Sequence, residues 1–257
     1  MRKWNIIITV LLFILGVICY IFFEVRPMQI LEGPGNKLLC GAIARIGLSL
    51  LFGWMLYQYG GKKFMIFDRK FPKYLLWSLP CFMVAIVNFP FSMLISGKAT
   101  INQIDLLGLY ILYIFSIALL EELIFRGVLL LLVSDYLRGK KLQYVWTALI
   151  CSLVFSLFHL TNLFSGMGIA DVLLQCLYTF LIGGMLAITM LKTHNIWLCV
   201  LIHAIFDFGG MIIYTIGYTP TGETWDTLFW ILTCVGGVLC AGHVIYSLIK
   251  LEKDYVS

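Results

Sequence analysis

Residues 195–216 of the chain read NIWLCVLIHAIFDFGGMIIYTI, an apolar stretch that carries one histidine, His203, and one acid, Asp207. A stretch of this kind can cross a membrane as a helix, because the hydrocarbon core requires about 20 mostly apolar residues. Similar stretches fill most of the chain, near residues 5–23, 38–59, 73–95, 105–133, 142–164, 168–191 and 225–249. The sequence therefore predicts an all-α polytopic membrane protein, a bundle of about eight transmembrane helices.

The composition is that of a protein whose main solvent is lipid. Apolar residues make up 61% of the 257 positions and charged residues only 12%, and the mean hydropathy is +0.99. Each apolar stretch must be helical, because lipid offers no hydrogen bonds to an unpaired backbone. We expect one transmembrane domain over residues 1–257, located in the cytoplasmic membrane of a bacterium, with membrane lipid as its partner.

Lysine and arginine residues are concentrated in alternate connections, and cationic loops remain on the cytoplasmic side. The poorer side of the predicted bundle has only Arg26, Lys37 and Lys98. The richer side collects Arg2, Lys3, Lys62, Lys63, Arg69, Lys70, Lys73, Arg138, Lys140, Lys141, Lys192, Lys250 and Lys253. Both termini are therefore expected in the cytoplasm, with the stretch 5–23 as a retained signal anchor. Because these charges report topology, the net charge of +5 predicts no binding of nucleic acid.

Three residues inside the apolar stretches are expected to have structural roles. Pro80 and Pro90 predict kinks in the stretch 73–95, since proline lacks the backbone N–H that a helix interior uses. Arg45 lies near the outer end of the stretch 38–59. We expect its long side chain to extend toward the membrane surface and keep its charge in water.

Ionisable side chains inside a membrane need a reason, since each costs about 2.5–3.5 kcal/mol at the centre of a helix. The stretch 105–133 contains Glu121, Glu122 and Arg126. Glu122 and Arg126 are four residues apart with the acid first, the favourable order for an ion pair on one helix face. Glu121 is turned about 100° away, so it can face a different helix.

Two further stretches carry histidines one turn from another notable side chain. Phe155 precedes His159 in the stretch 142–164, and His203 precedes Asp207 in the stretch 195–216. Asn162 follows His159 by three residues and either lines the same cavity or caps the helix.

A carboxylate and two imidazoles from three helices are the components of water activation. Glu121 can act as the general base, while His159 and His203 orient the water or stabilise an oxyanion. The same three residues also form the two-histidine, one-carboxylate set typical of catalytic zinc, which leaves a position open for water. The sequence leaves both alternatives open.

The three motifs together carry a family resemblance, and they stand in this order on three apolar stretches: Glu121-Glu122-x-x-x-Arg126, Phe155-x-x-x-His159 and His203-x-x-x-Asp207. This pattern resembles the CAAX protease and bacteriocin-processing family, also called CPBP or Abi proteins, which includes the eukaryotic type II CAAX prenyl endopeptidases. The resemblance covers about residues 105–216, the expected catalytic core, and no motif lies in the first three stretches.

The resemblance implies an eight-helix membrane fold and an intramembrane endopeptidase that acts on a membrane-associated peptide or protein. It implies that Glu121 activates water, that His159 assists, and that His203 and Asp207 bind the oxyanion or a metal, which would be zinc. The best-studied members have asparagine at the last position. Asp207 is a departure, because an ionised aspartate cannot donate a hydrogen bond to an oxyanion.

Four residues are assigned supporting positions around these groups: Glu122, Arg126, Phe155 and Asn162. Glu122 and Arg126 can also be a purely structural pair. Two other functions fit the same composition, a non-catalytic immunity or sensor-scaffold protein and a small-ion transporter that uses intramembrane acids and histidines as a proton relay. The sequence shows no internal repeat of the kind found in many transporters.

Overall fold

A computed structural model of the chain describes Ile14, Leu15, Ile18 and residues 32–67, 69–221 and 226–256. Apart from Ile14, Leu15 and Ile18, the predicted signal anchor 5–23 lies outside the described residues. The helices are α1 (Pro34–Gln58), α2 (Phe71–Trp77), α3 (Leu79–Val87), α4 (Phe91–Ile95), α5 (Leu107–Glu122), α6 (Leu130–Leu137), α7 (Gln143–Phe158), α8 (Ile169–Thr193), α9 (Ile196–Ile216) and α10 (Thr227–Val256).

Shorter elements complete this description. Turns of 3₁₀ helix span Gly61–Met65, Ile104–Leu106 and His159–Ser165, and a π-helix, Leu123–Leu129, joins α5 to α6. Strands β1 (Thr100–Ile101) and β2 (Gly217–Tyr218) pair antiparallel, with Thr100 opposite Tyr218.

Five helices are long and apolar enough to cross a membrane, namely α1, Gln143–Ser165 (α7 with its 3₁₀ extension), α8, α9 and the Thr227–Asp254 part of α10. In addition, α5, the π-helix and α6 form one continuous helical rod over residues 107–137. The prediction of an all-α, multi-pass membrane protein is confirmed. The number of about eight spans and the cytoplasmic position of both termini stay predictions.

The third predicted stretch is not one kinked helix but three short ones. Pro80 lies in the first turn of α3, where its missing N–H costs nothing, whereas Pro90 separates α3 from α4. At this break Asn88 Nδ2 donates to the carbonyl oxygen of Phe206 at 2.7 Å. Gly209 permits the approach, because a Cβ there would lie 2.7 Å from the backbone of Phe89. The break thus packs directly on α9.

The helical rod lies at the centre of the packing. Its α5 part contacts α1 on one side and α9 on another, while α7 packs along α8. One buried apolar cluster, which includes Phe52, Leu120, Phe125 and Leu186, surrounds the junction of α5 and the π-helix. The motif residues converge within this apolar surrounding, so their charges interact in a medium of low dielectric constant.

Arg45 does not extend to the membrane surface as predicted. Its side chain is buried at 3% exposure, and its Nη2 donates to the Tyr113 hydroxyl at 3.3 Å. The guanidinium also lies 4.5 Å from the centre of the Tyr113 ring. Position along a helix predicts depth in the membrane but not which face turns inward, and α1 turns Arg45 toward α5.

Candidate active site

Two of the predicted site residues, Glu121 and Glu122, lie where the helical rod changes from α to π geometry. Glu121 and Glu122 are the last two residues of α5, and Arg126 lies within the following π-helix. The exposed fractions are 6% for Glu121, 0% for Glu122 and 1% for Arg126. A π turn is rare and is concentrated at functional sites, because it redirects side chains that an α-helix would place elsewhere.

His203 on α9 is the residue on which the acids converge. Its Nδ1–H donates to Glu122 Oε1 at 2.7 Å, since an ionised carboxylate can only accept. On the other edge of the ring, Nε2 lies 3.3 Å from Asp207 Oδ2 and 3.8 Å from Glu121 Oε2. The imidazole is 4% exposed. The structure therefore brings together Glu121, His203 and Asp207.

Arg126 supplies the positive charge beside these acids. Its Nη1 lies 3.0 Å from Glu122 Oε1, so the predicted ion pair is present. Its Nη2 donates to the carbonyl of Gly183 on α8 at 3.3 Å, and the guanidinium lies 4.1 Å from the centre of the Phe155 ring. A Cβ at Gly183 would come within 3.0 Å of Phe155, so only glycine allows this approach without displacement.

Phe155 links the second histidine to the cluster. Its ring meets His159 edge-on at 4.9 Å and His203 at 5.9 Å between ring centres. His159 Nδ1–H donates to the backbone carbonyl of Phe155 at 2.9 Å. Because a carbonyl cannot donate, the neutral imidazole must carry its proton on Nδ1, which leaves Nε2 as an acceptor.

Glu122 contacts both Arg126 and His203. The sequence predicted its ion pair with Arg126 and a supporting position in the site, and its Oε1 also accepts from His203. The contact with Arg126 Nη1 is an ion pair without hydrogen-bond geometry, so the hydrogen bond that Oε1 accepts is the one from His203. The other oxygen, Oε2, is buried and has no hydrogen-bond partner within residues 32–67, 69–221 and 226–256. Glu122 thus connects Arg126 electrostatically to His203.

For Asn162, the two alternatives, lining the cavity or capping the helix, stay predictions. Asn162 lies in the 3₁₀ turn after α7 and donates from Nδ2 to Gln175 Oε1 on α8 at 2.8 Å.

Tyr110 was not singled out, although it helps to position the site. It is fully buried, and its hydroxyl donates to the carbonyl of Phe208 at 2.6 Å, which ties α5 to α9 next to Asp207. A tyrosine in the middle of an apolar stretch is a signal for such a contact, because its hydroxyl needs a partner.

The predicted zinc ligands do not fit a metal in this arrangement. Within the part of the chain that the structure describes, no group of three or more His, Cys, Asp or Glu side chains is arranged to hold an ion. His203 shows the reason, since Nδ1 is bonded to Glu122 and Nε2 faces Asp207. Zinc dependence, one of the two alternatives that the sequence left open, is not tested by this arrangement, and these contacts favour the metal-free alternative.

These features define a class of protein, a multi-pass helical membrane protein with acids and histidines from different helices enclosed in its core. The family follows from a direct comparison. Residues 103–209 match the family model described as type II CAAX prenyl endopeptidase Rce1-like. This segment is therefore similar to the CAAX protease family, and the resemblance that the motifs indicated is confirmed.

The matched segment contains every motif residue from Glu121 to Asp207. Members of this family are intramembrane endopeptidases, which supports a membrane protease that acts on membrane-associated proteins or peptides. No curated protein and no solved structure matches the chain.

Proposed function

We propose that the protein is an intramembrane endopeptidase in which Glu121 activates the water that hydrolyses a peptide bond of a membrane-associated substrate. The observation that carries this proposal is the convergence on His203, where Glu121 Oε2 and Asp207 Oδ2 lie 3.8 and 3.3 Å from the same nitrogen. A carboxylate oxygen and an imidazole nitrogen 3.8 Å apart can both contact one water molecule that lies beside them, with the reacting carbonyl next to that water.

The chemical step uses Glu121 as a base and then as an acid. Glu121 removes a proton from water as the water oxygen bonds to the carbonyl carbon, and the carbonyl electrons move onto oxygen to form an oxyanion. When the intermediate collapses, the C–N bond breaks and the proton held by Glu121 passes to the leaving nitrogen. Glu121 is then a carboxylate again, and the products are an acid and an amine.

His203 is positioned to stabilise the oxyanion through Nε2–H. Glu122 accepts from Nδ1–H at 2.7 Å and so fixes both the orientation of the ring and the nitrogen that faces the substrate. The aspartate of a serine-protease triad has the same role beside its histidine. Asp207 accepts from Nε2–H before substrate binds, so it orients His203 and does not itself donate to the oxyanion.

His159 contributes the second imidazole. Its Nδ1 is bonded to the Phe155 carbonyl, so Nε2 can accept a hydrogen bond from the attacking water and align that water for Glu121. Phe155 separates the two imidazole rings and carries the Arg126 guanidinium on its face, so it keeps three cationic or potentially cationic groups apart.

Membrane peptides from cells that contain the wild type, Glu121→Gln or Glu32→Gln test this proposal by quantitative mass spectrometry. Glu121→Gln keeps the shape of the side chain and removes the base, so specific cleavage products should fall by about 10²- to 10⁴-fold. Glu32 is an exposed acid, and its change to Gln is the control for loss of one negative charge. A folded Glu121→Gln protein that forms the same products at the wild-type rate would refute the proposal.

A further inference from the structure

A cavity lies at one end of the bundle. Its volume is about 320 Å³, at the lower end of the range of roughly 300–1,000 Å³ for small-molecule sites. It is formed by the 3₁₀ turn Gly61–Met65, one face of α6 with the following Arg138, the start of α7 and the end of α8. None of the residues that line this cavity belongs to the proposed active site.

Basic side chains surround the mouth of the cavity. Lys63, Arg138 and His194 line it, together with one acid, Asp135, which forms an ion pair with Arg138. Partial removal from water and the nearby Lys63 ammonium lower the pKa of His194, so this imidazole is neutral at neutral pH. Two cations and one acid therefore leave a net charge of about one positive unit at the mouth, and His194 adds a neutral hydrogen-bonding group.

The floor of the cavity is apolar. Leu130, Met190 and Leu191 line it and are buried, with exposures of 3%, 1% and 4%. A free phosphate ion would gain nothing from this floor, whereas a ligand with an anionic end and a hydrocarbon part would contact both regions. Each square ångström of apolar surface that leaves water contributes about 25 cal/mol.

The position of the cavity indicates that a ligand with an anionic end and a hydrocarbon part would come from the membrane. The loops that meet there, 60–63, 138–141 and 192–194, contain six of the lysines and arginines that the positive-inside pattern assigns to one side: Lys62, Lys63, Arg138, Lys140, Lys141 and Lys192. The surface of a membrane supplies phosphate groups at this depth, and basic pockets between transmembrane helices recognise anionic lipid headgroups.

We propose that this cavity, with Lys63 and Arg138 at its mouth, binds the headgroup of an anionic phospholipid from the leaflet on that side. The phosphate contacts the two cations, and the glycerol backbone and the first acyl carbons cover Leu130 and Leu191. The ligand would also brace the helical rod, because α6 continues directly from the π-helix that contains Arg126.

Binding is measured on the full chain in detergent, by native mass spectrometry and by the shift in thermal unfolding with added phosphatidylglycerol or phosphatidylcholine. Phosphatidylglycerol should bind and raise the unfolding midpoint, and phosphatidylcholine should do so much less. Lys63→Gln with Arg138→Gln should weaken phosphatidylglycerol binding by about 30-fold, since each cation near a lipid surface contributes a factor of roughly five.

The matched control is Lys62→Gln with Lys141→Gln, which removes the same charge from exposed neighbours that do not line the cavity. This control should bind like the wild type, and so should the charge-conserving variant K63R/R138K. Equal loss in the control, equal binding of phosphatidylcholine, or displacement of the lipid by inorganic phosphate at the same concentration would each overturn the proposal. Proteolysis is not part of the readout, so the result is independent of the proposed activity.

Discussion

Arg45 and Arg126 occupy similar surroundings in two regions of the bundle. Both are buried, at 3% and 1% exposure, and both lie over an aromatic ring, 4.5 Å from Tyr113 and 4.1 Å from Phe155. Each also bonds to a neighbouring helix, Arg45 to the Tyr113 hydroxyl and Arg126 to a backbone carbonyl of α8. Burial of a charge in a membrane protein therefore does not by itself distinguish a site from a packing contact.

Arg45 and Arg126 differ in the side chains that they contact. Arg126 is paired at 3.0 Å with Glu122, and the same carboxylate oxygen accepts from His203 at 2.7 Å. Arg45 donates to the neutral hydroxyl of Tyr113 at 3.3 Å and lies over the ring of the same residue. A change at Arg126 or Glu122 should thus affect the protonation and orientation of His203, the proposed catalytic histidine, whereas we expect a change at Arg45 to affect helix packing.

Glu122→Gln should have the largest effect in this comparison. The variant deprives His203 of its charged acceptor, and we expect kcat/KM for cleavage to fall by about 10³- to 10⁴-fold. It also leaves Arg126 buried without its counter-charge, which costs roughly 3–5 kcal/mol of stability. Cleavage per folded molecule and thermal unfolding measure the two losses separately.

The double variant E122Q/R126M sharpens this result. Removal of both charges should restore much of the stability, because replacing a buried pair by apolar groups is often neutral. Activity should stay low, since His203 still lacks its negatively charged acceptor. Recovery of activity together with stability would mean that Glu122 serves only Arg126.

Arg45→Met should destabilise the protein without impairing catalysis. Loss of the cation–π contact and of one hydrogen bond should cost about 1–3 kcal/mol, and cleavage per folded molecule should be unchanged. Tyr113→Phe keeps the ring and should cost only about 0.5–1.5 kcal/mol. If Arg45→Met lowered kcat/KM as much as Glu122→Gln does, the two regions would not differ in the proposed way.

Asp207→Asn should have a smaller effect, less than about tenfold in kcat/KM. The amide oxygen can still accept from His203 Nε2–H, and its NH₂ group becomes able to donate to the oxyanion. Asp207→Ala removes both capacities and should reduce kcat/KM by about 10²-fold. Steady-state kinetics of the two variants provide the measurement, and equal losses in both would argue against an orienting role for Asp207.

Removal of metal ions should leave the rate of cleavage unchanged, the smallest effect of the changes considered. His203 presents neither nitrogen to a metal, so incubation with 1,10-phenanthroline or EDTA should leave cleavage unchanged. Elemental analysis of the purified protein should find less than one zinc per chain. Loss of activity on chelation that added zinc restores would show that His203 changes its partners when a metal binds.

Contacts within one helix were the part of the site that spacing predicted well. The interval from Glu122 to Arg126 indicated an ion pair, and the interval from His203 to Asp207 placed them on one face. Apolar length likewise predicted the membrane helices, because crossing the hydrocarbon core imposes a minimum length that any sequence must show.

Contacts between helices could not be predicted from spacing. The direction of Arg45 depends on which face of α1 packs against α5, and the choice of Glu122 over Glu121 by His203 depends on how α9 is rotated. The π-helix was also beyond prediction, since Leu-Ile-Phe-Arg-Gly-Val-Leu contains no signal that separates π from α geometry. Tertiary packing decides all three.

The π-helix Leu123–Leu129 has a consequence for how this protein tolerates changes in length. A π turn accommodates about one residue more than the α turn it replaces, and successive residues of an α-helix are offset by about 100°. Deletion of a single residue there would convert the π turn to a regular α turn and leave α6 facing nearly the same way, whereas deletion of a second residue would rotate α6 by about 100° relative to Glu121. The number of residues in the π-helix therefore fixes the direction in which Leu130 faces the cavity relative to the direction in which the two glutamates face α9.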